Sequence, residues 1–278
     1  MQVSKAIKIW SEYHKSHSRD NTLKAYHVVL SNFNREFGEK DVREITSDEV
    51  LSFLNRITDG TKQQTKRTRY AHLTALFNFI RNNIDQNLQN PCDTPIMKKL
   101  FRNTGLARWN TIEKDTIDEI IFKTSKVRNR LMLELMARGG MRIGEVLKLT
   151  PNDINERKLT IRDPKSGKEQ EFVFIPQKVT ERLKEYVKMN GIDPDQRIFQ
   201  ICYEAVRSIV RKAGNQVGIK LRPHDLRRHA ATHVSRSGVP VEIVSKVILR
   251  HSNLAVTQRY LGNVSDTEAI RWIDNLYA

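Results

Sequence analysis

Apolar residues recur at helical spacing along most of the chain, and the interruptions divide it into a succession of short helices. Val3, Ile7 and Trp10, followed by Tyr13 or His14, mark a first amphipathic helix. Asn21-Thr22 opens a second through Leu23, Tyr26, Val29, Leu30 and Phe33, which Gly38 ends. Thr46, with Glu49 three residues on, has the form of a capping box ahead of Val50, Leu51, Phe53 and Leu54, and Gly60 makes the next break. A long helix is predicted over 61–83, basic at its start (Lys62, Lys66, Arg67, Arg69) and apolar later (Leu73, Leu76, Phe77, Phe79). Between 90 and 110 the periodicity weakens among Pro91, Pro95 and Gly105. The predicted division is therefore a helical domain over 1–103, a linker over 104–110 and a second domain over 111–278.

In the second part, helices are predicted over 111–122, 126–138 and 142–149, with a stop at Gly139-Gly140 and Pro151 beyond. Two strand-like runs, 158–162 and 171–175, flank Asp163-Pro-Lys-Ser-Gly167 and predict a β-hairpin. Helices follow over 177–189, 202–214, 224–237, 240–249 and 253–260. A last amphipathic piece over 266–276 places Ile270, Ile273 and Leu276 on a face suited to its own domain or to a neighbouring chain. The expected fold class is mainly α with a small β-hairpin or sheet.

Composition agrees with this picture and narrows the function. Only 12 glycines and 8 prolines in 278 residues suit a helical protein with few long loops. A 38% hydrophobic and 29% charged composition, with mean hydropathy −0.56, is too apolar for a disordered chain. Apolar runs fall short of the roughly 18 residues of a membrane span. Met1-Gln2-Val3-Ser4-Lys5 lacks an apolar signal core, and Cys92 and Cys202 cannot build a disulfide framework, so a cytoplasmic location is expected. The formal charge is +16, with +6 carried through residue 105 and +10 beyond it. A cationic field on both parts points to a polyanion touched by both, and nucleic acid is the commonest such partner of a soluble chain.

Several enzyme classes lack their residues here. No G-x-x-x-x-G-K-[ST] loop and no G-x-G-x-x-G follows a strand, so nucleotide-driven and dinucleotide chemistry have no site. His229 and His233 share a helix face, but the segment between them lacks a metalloprotease glutamate and they read as packing or capping residues. No cluster of carboxylates suggests a two-metal site. Neither metal nor cofactor is expected, and phosphate chemistry would rely on cationic side chains. Arg222-Pro-His-Asp-Leu-Arg-Arg-His supplies them: after a proline that suits a helix start, His224 and Arg227 project from one face. Arg142 follows Gly139-Gly140-Met141 at a helix start, and His251 and Tyr260 lie nine residues apart. Taken singly, each has a plainer role. Tyr260 reads as a core aromatic, Arg142 as a helix cap, Lys165 or Lys168 as a solvated turn residue, and Cys92 and Cys202 as small apolar residues.

Together they are more specific. A-R-G-G-M-R-I-G-E-V-L-K-L, a hairpin lysine, H-D-L-R-R-H-A-A-T-H, L-R-H-S-N-L and V-T-Q-R-Y, in that order behind a helical N-terminal part, resemble the tyrosine recombinase (phage integrase) family over nearly the whole chain. The resemblance implies a SAM-like core-binding domain and an α+β catalytic domain. It also implies an active site of Arg142, Lys165, His224, Arg227, His251 and Tyr260 supported by Glu145. Arg228 and Arg250 depart from it, standing where relatives often carry histidine and glycine; neither position is catalytic, so the departures bear on packing and DNA contacts.

The resemblance implies that Tyr260 attacks the scissile phosphate with His224 as base, while Arg142, Arg227 and His251 hold the non-bridging oxygens. Lys165, preferred to Lys168 because the family's lysine starts the turn, protonates the leaving 5′ oxygen. The expected activity is site-specific strand exchange through a 3′-phosphotyrosine, without metal or ATP. Its partner is double-stranded DNA carrying recombination sites, contacted in part through Lys62, Lys66, Arg67 and Arg69, with a free monomer or dimer assembling into a tetramer at synapsis. Two other classes share the fold: a type IB topoisomerase-like enzyme, which the small chain and the N-terminal domain disfavour, and a silent architectural DNA-binding protein, which the six retained residue types disfavour.

Overall fold

The computed structural model describes residues 1–18, 20–102, 111–164, 167–251 and 253–261, together with 270 and 273. They form two compact units, Met1–Leu106 and Ala107–Ala278.

The first unit is helical: α1 (Val3–His17), α2 (Asp20–Phe37), α3 (Ser47–Thr58), α4 (Gln63–Asn83) and the short α5 (Pro95–Leu100). Its core is the apolar stripe of each helix, with Val3, Ala6 and Trp10 meeting Val29, Leu30 and Phe33 and then Phe53, Leu54, Leu73, Leu76, Phe77 and Ile80. Phe33 stands edge-on to Phe53 and Phe77 at centroid distances of 5.1 and 5.9 Å, an arrangement favoured by the ring quadrupoles. The capping box at Thr46 forms: the Glu49 carboxylate accepts from the Thr46 N–H at 2.9 Å, and Thr46 Oγ1 accepts from the Glu49 N–H at 3.3 Å. α5 falls where periodicity was weak; Thr94 caps it and Pro95 opens it.

The second unit contains α6 (Lys114–Lys123), α7 (Val127–Ala137), the single turn α8 (Ile143–Val146), and strands β1 (Ile154–Asn155), β2 (Lys158–Arg162) and β3 (Gln170–Phe174). These are followed by α9 (Gln177–Met189), α10 (Tyr203–Asn215), α11 (Pro223–Arg236), α12 (Val241–Ile243) and α13 (Leu254–Leu261). Helix α7 is buried all round from Leu131 to Ala137, which makes it the centre of the core. Its one carboxylate there, Glu134, pairs with Arg182 of α9 at 2.6 Å. The sheet is antiparallel in the order β1-β2-β3, with Leu159 opposite Val173 and Ile161 opposite Glu171.

Two expectations are corrected. The helix over 142–149 is the one turn of α8, because Thr150 and Pro151 open a 3₁₀ turn in which Asp153 accepts from the Thr150 N–H at 2.9 Å. The helix over 240–249 is a three-residue α turn that widens into a π-helical segment over 244–249 and stops at a left-handed Arg250. The expected small sheet forms around the hairpin, with a third strand in the two-residue β1, too short to show an alternating pattern. The piece over 266–276 lies outside the described residues apart from Ile270 and Ile273, both helical in backbone and exposed.

Candidate active site

Arg227 is the structural centre of the site. It lies on α11, is 1% exposed, and its guanidinium donates to two backbone carbonyls, through Nη1 to Gly140 and through Nη2 to Leu249. One buried cation thereby joins the loop before α8, the helix α11 and the end of the π-helical segment. The loop needs glycine at 140, where φ is +61° and a β-carbon would stand 3.0 Å from both Ile248 Cγ2 and Ile248 O.

Arg142 caps α8 from the adjoining position. Its Nη1 donates to Glu145 Oε1 at 2.6 Å and its backbone N–H to Glu145 Oε2 at 2.8 Å, so one carboxylate fixes both the helix start and the guanidinium. Burial alone would raise the Glu145 carboxyl; the Arg250 and Arg142 charges and the backbone donor outweigh it and hold Glu145 below its usual range. His224 enters through the first turn of α11, where Asp225 accepts from the Arg222 N–H at 2.9 Å and from Arg228 Nη1 at 3.0 Å.

His251 follows Arg250, its backbone N–H donating to Ser245 O at 2.9 Å. Its Nδ1 shares a 3.0 Å hydrogen bond with Thr257 Oγ1, which bonds Ser245 Oγ at 2.8 Å. Thr257 and Ser245 are buried, so this chain of hydroxyls fixes the ring and fastens α13 to the π-helical segment.

Electrostatics show that the four predicted cationic and imidazole groups share one field. Burial, then the Arg227, Arg228 and Arg142 charges, hold His224 below its ordinary value against the opposing pull of Asp225. Burial, then Arg227, Arg142, Arg250 and His224, push His251 down to about 4. Both rings are therefore neutral near pH 7 in the DNA-free protein. A depressed imidazole favours the fold in its neutral form, so its contribution is complete above the unfolded value of about 6.5 and is lost as pH falls toward about 4. An NMR titration of the His251 ring is expected to show a midpoint near 4. A midpoint at about 6 or above would remove the arginine cluster from its surroundings.

The structure thus brings together Arg142, Glu145, His224, Arg227 and His251. Tyr260 has a backbone position on α13, three residues beyond Thr257, and α13 packs on α11 and on the π-helical segment. Lys165 lies outside the described residues. Lys62, Lys66, Arg67 and Arg69 occupy the N-terminal cap and first two turns of α4, Lys62 and Arg67 exposed and the other two half-buried. His229 and His233 stack at 5.6 Å, and His229 Nδ1 bonds Ile112 O at 2.9 Å. Among the described residues no group of His, Cys, Asp and Glu is placed to hold a metal. Nor is any helix there long and apolar enough to cross a membrane.

Sequence reasoning missed the roles of Ser245, which lies in no motif, of Thr257, which lies within V-T-Q-R-Y but was assigned no part, and of Arg250 and Glu171. Arg250 is 5% exposed, donates from Nη2 to Glu145 Oε2 at 2.6 Å and from Nη1 to Ile248 O at 2.9 Å, and has φ +51°. A side chain in that left-handed region costs about 1–2 kcal/mol where glycine costs little. The signal for Glu171 was its phase, a carboxylate on the same strand face as the buried Val173.

Comparison with known proteins follows the same lines. A model of the phage integrase family matches residues 110–266. The tyrosine recombinase XerA of Thermococcus onnurineus is 30% identical over 252 residues, covering 86% of this chain and 84% of that protein. XerA of Saccharolobus solfataricus is 26% identical over 253 residues, covering 89% and 84%. Among solved structures, the Tn1549 transposon integrase in complex with transposon right end DNA aligns over 100% of both chains with a TM-score of 0.76 at 14% identity. A lambda integrase tetramer bound to a Holliday junction aligns over 96% of this chain and 80% of that one, with a TM-score of 0.74 at 16% identity.

Proposed function

Because this chain belongs to the phage integrase family, we infer that it is a site-specific DNA recombinase, cutting and rejoining DNA strands through a covalent 3′-phosphotyrosine. The observation that carries the reading is the shared cationic field of Arg142, His224, Arg227 and His251, with Arg227 anchored by two carbonyls. Such a pocket suits a phosphate whose charge grows in the transition state, because its donors are oriented before substrate arrives.

In the proposed reaction the Tyr260 phenol oxygen bonds to phosphorus while the bond to the 5′ oxygen breaks. His224, neutral before the reaction, takes the phenolic proton, and Lys165 gives a proton to the departing 5′ oxygen. Arg142 and Arg227 bind the non-bridging oxygens and His251 adds a hydrogen bond. Glu145 keeps the Arg142 guanidinium in place. The phosphotyrosine retains the energy of the broken bond, so the 5′ hydroxyl of another strand reverses the step without ATP.

Duplex DNA is the partner. We propose that the unit at Met1–Leu106 acts as a core-binding domain and that four protomers assemble at synapsis, since two duplexes present four strands to cut. The cations at the start of α4 support the first point. No acidic residue lies in that first turn, and cations there oppose the helix dipole, so they do not serve helix stability. Replacing Lys62, Lys66, Arg67 and Arg69 together by alanine is expected to flatten the dependence of DNA affinity on salt by about 0.9 in log–log slope for each phosphate no longer neutralised. An unchanged slope would place the DNA elsewhere.

The function is tested by incubating the protein with DNA flanking its own gene, trapping denaturation-resistant complexes and mapping the 3′ ends joined to protein. A discrete set of ends is expected. DNA binding with no adduct on any fragment would leave a catalytically silent binding protein.

A further inference from the structure

We propose that Arg250 is a positioning residue for the cleavage step, its buried guanidinium spanning from Glu145, the carboxylate that holds Arg142, to Glu171 on β3. The proposal rests on the strand-transfer reading of the site and adds to it a residue at a position where members of the family often carry glycine.

The backbone at Arg250 has φ +51° and ψ +47°, a conformation that favours glycine, so the arginine stands there against its own backbone preference. The side chain is 3% exposed and its polar atoms are directed at three elements. Nη2 donates to Glu145 Oε2 at 2.6 Å, Nη1 to Ile248 O at 2.9 Å, and Nε faces Glu171 Oε2 at 3.4 Å. Glu171 is 5% exposed, opposite Ile161 in the sheet, at a position the strand alternation assigns to the core. Neither Glu171 oxygen has a hydrogen-bond partner among the described residues, which leaves Arg250 as its counter-charge.

Glu145 is shared. One oxygen takes Arg142 Nη1 and the other takes Arg250 Nη2 together with the Arg142 N–H. A carboxylate held from both sides has one orientation, and Arg142 inherits it. Arg250 thus links the phosphate-binding arm to β3. The charged and titratable groups facing it are Glu145 and Arg142 from the α8 turn, Glu171 from β3, and His251, whose shift registers its charge. Without Arg250, burial lifts the Glu145 carboxyl and weakens its hold on Arg142, most at low pH.

The test compares Arg250→Gly, Glu171→Gln and the double variant by three readouts. One is the rate of adduct formation at saturating DNA on a fragment that the wild type cuts, together with the DNA concentration for half-saturation. The second is the pH profile of that rate. The third is the Arg142 Nε–H resonance of the DNA-free protein, assigned through its loss in Arg142→Lys. Arg250→Gly is expected to slow adduct formation by about 10- to 100-fold with half-saturation unchanged, as for a misplaced catalytic arm. It should also move the acid limb of the profile upward and displace the Arg142 resonance. Glu171→Gln, which removes the charge at the β3 end of the span while leaving the Glu145 contact in place, is expected to slow adduct formation less than Arg250→Gly does. The double variant regains the thermal stability lost in Arg250→Gly, having no uncompensated carboxylate on β3, yet stays slow.

Wild-type rate in Arg250→Gly, or recovery of rate along with stability in the double variant, overturns the proposal and leaves Arg250 as a counter-ion for Glu171. Loss of folding in both would assign it to the core and overturn it equally. Absence of an adduct in the wild type would instead defeat the functional reading, while the Arg142 resonance still decides whether Arg250 positions it.

Discussion

Tyr260→Phe is expected to abolish the denaturation-resistant protein–DNA adduct while leaving DNA binding within about twofold, because phenylalanine retains the ring and removes only the attacking oxygen. The expected loss of cleavage is at least about 10³-fold, the scale at which removal of a nucleophile leaves only binding and oriented donors at work. The proposed base and anion clamp lie on neighbouring elements. His224 and Arg227 ride on α11, against which α13 packs, and Thr257, three residues before Tyr260, is tied to Ser245 and His251. The measurement is gel separation after denaturation, followed by mapping of the joined 3′ ends. An adduct that persists in the variant would move the nucleophile elsewhere in the chain.

Arg227→Ala is expected to lower both activity and stability, and in this it differs from the tyrosine variant. The guanidinium supplies part of the proposed clamp and at the same time donates to the carbonyls of Gly140 and Leu249 in the interior. Alanine leaves those two carbonyls without their donors and a cavity where a fully buried side chain stood, a combination worth about 3–5 kcal/mol. Denaturant unfolding should show that loss, and cleavage should fall beyond detection even at temperatures where the variant remains folded. Arg142→Ala provides the contrast. Arg142 is 26% exposed and bonds chiefly to Glu145, so its loss should cost activity with a smaller change in stability. Equal destabilisation by the two would contradict the anchoring role given to Arg227.

Where local pattern and tertiary environment agree, the elements were legible. The long helix α4, the hairpin of β2 and β3, and α11 behind its proline all show a clear period bounded by turn or capping residues. Disagreement arose where the chain bends to serve the site. Apolar residues continue past Val146, yet α8 stops after one turn and a 3₁₀ turn follows at Pro151. The segment over 244–249 keeps helical periodicity but widens into a π-helix that ends at Arg250, and the Leu249 carbonyl there meets Arg227. Departures of this kind cluster beside His251 and Arg142, as expected when geometry at a site overrides local preference.

The amino-acid order by itself determined that the chain is mostly helical with one hairpin, that it is cationic in both parts, and that it carries two arginines, two histidines, a lysine and a tyrosine within motifs that resemble those of the phage integrase family. These properties are additive or depend on neighbours a few residues away. Only the tertiary structure decided that Arg227 is held by carbonyls 87 and 22 residues distant, that His251 is pushed down to about 4, and that Arg250 stands between Glu145 and Glu171. Such effects depend on separation in space and on exclusion of water, and the strength of a charge on its neighbour is set by those two quantities rather than by position along the chain.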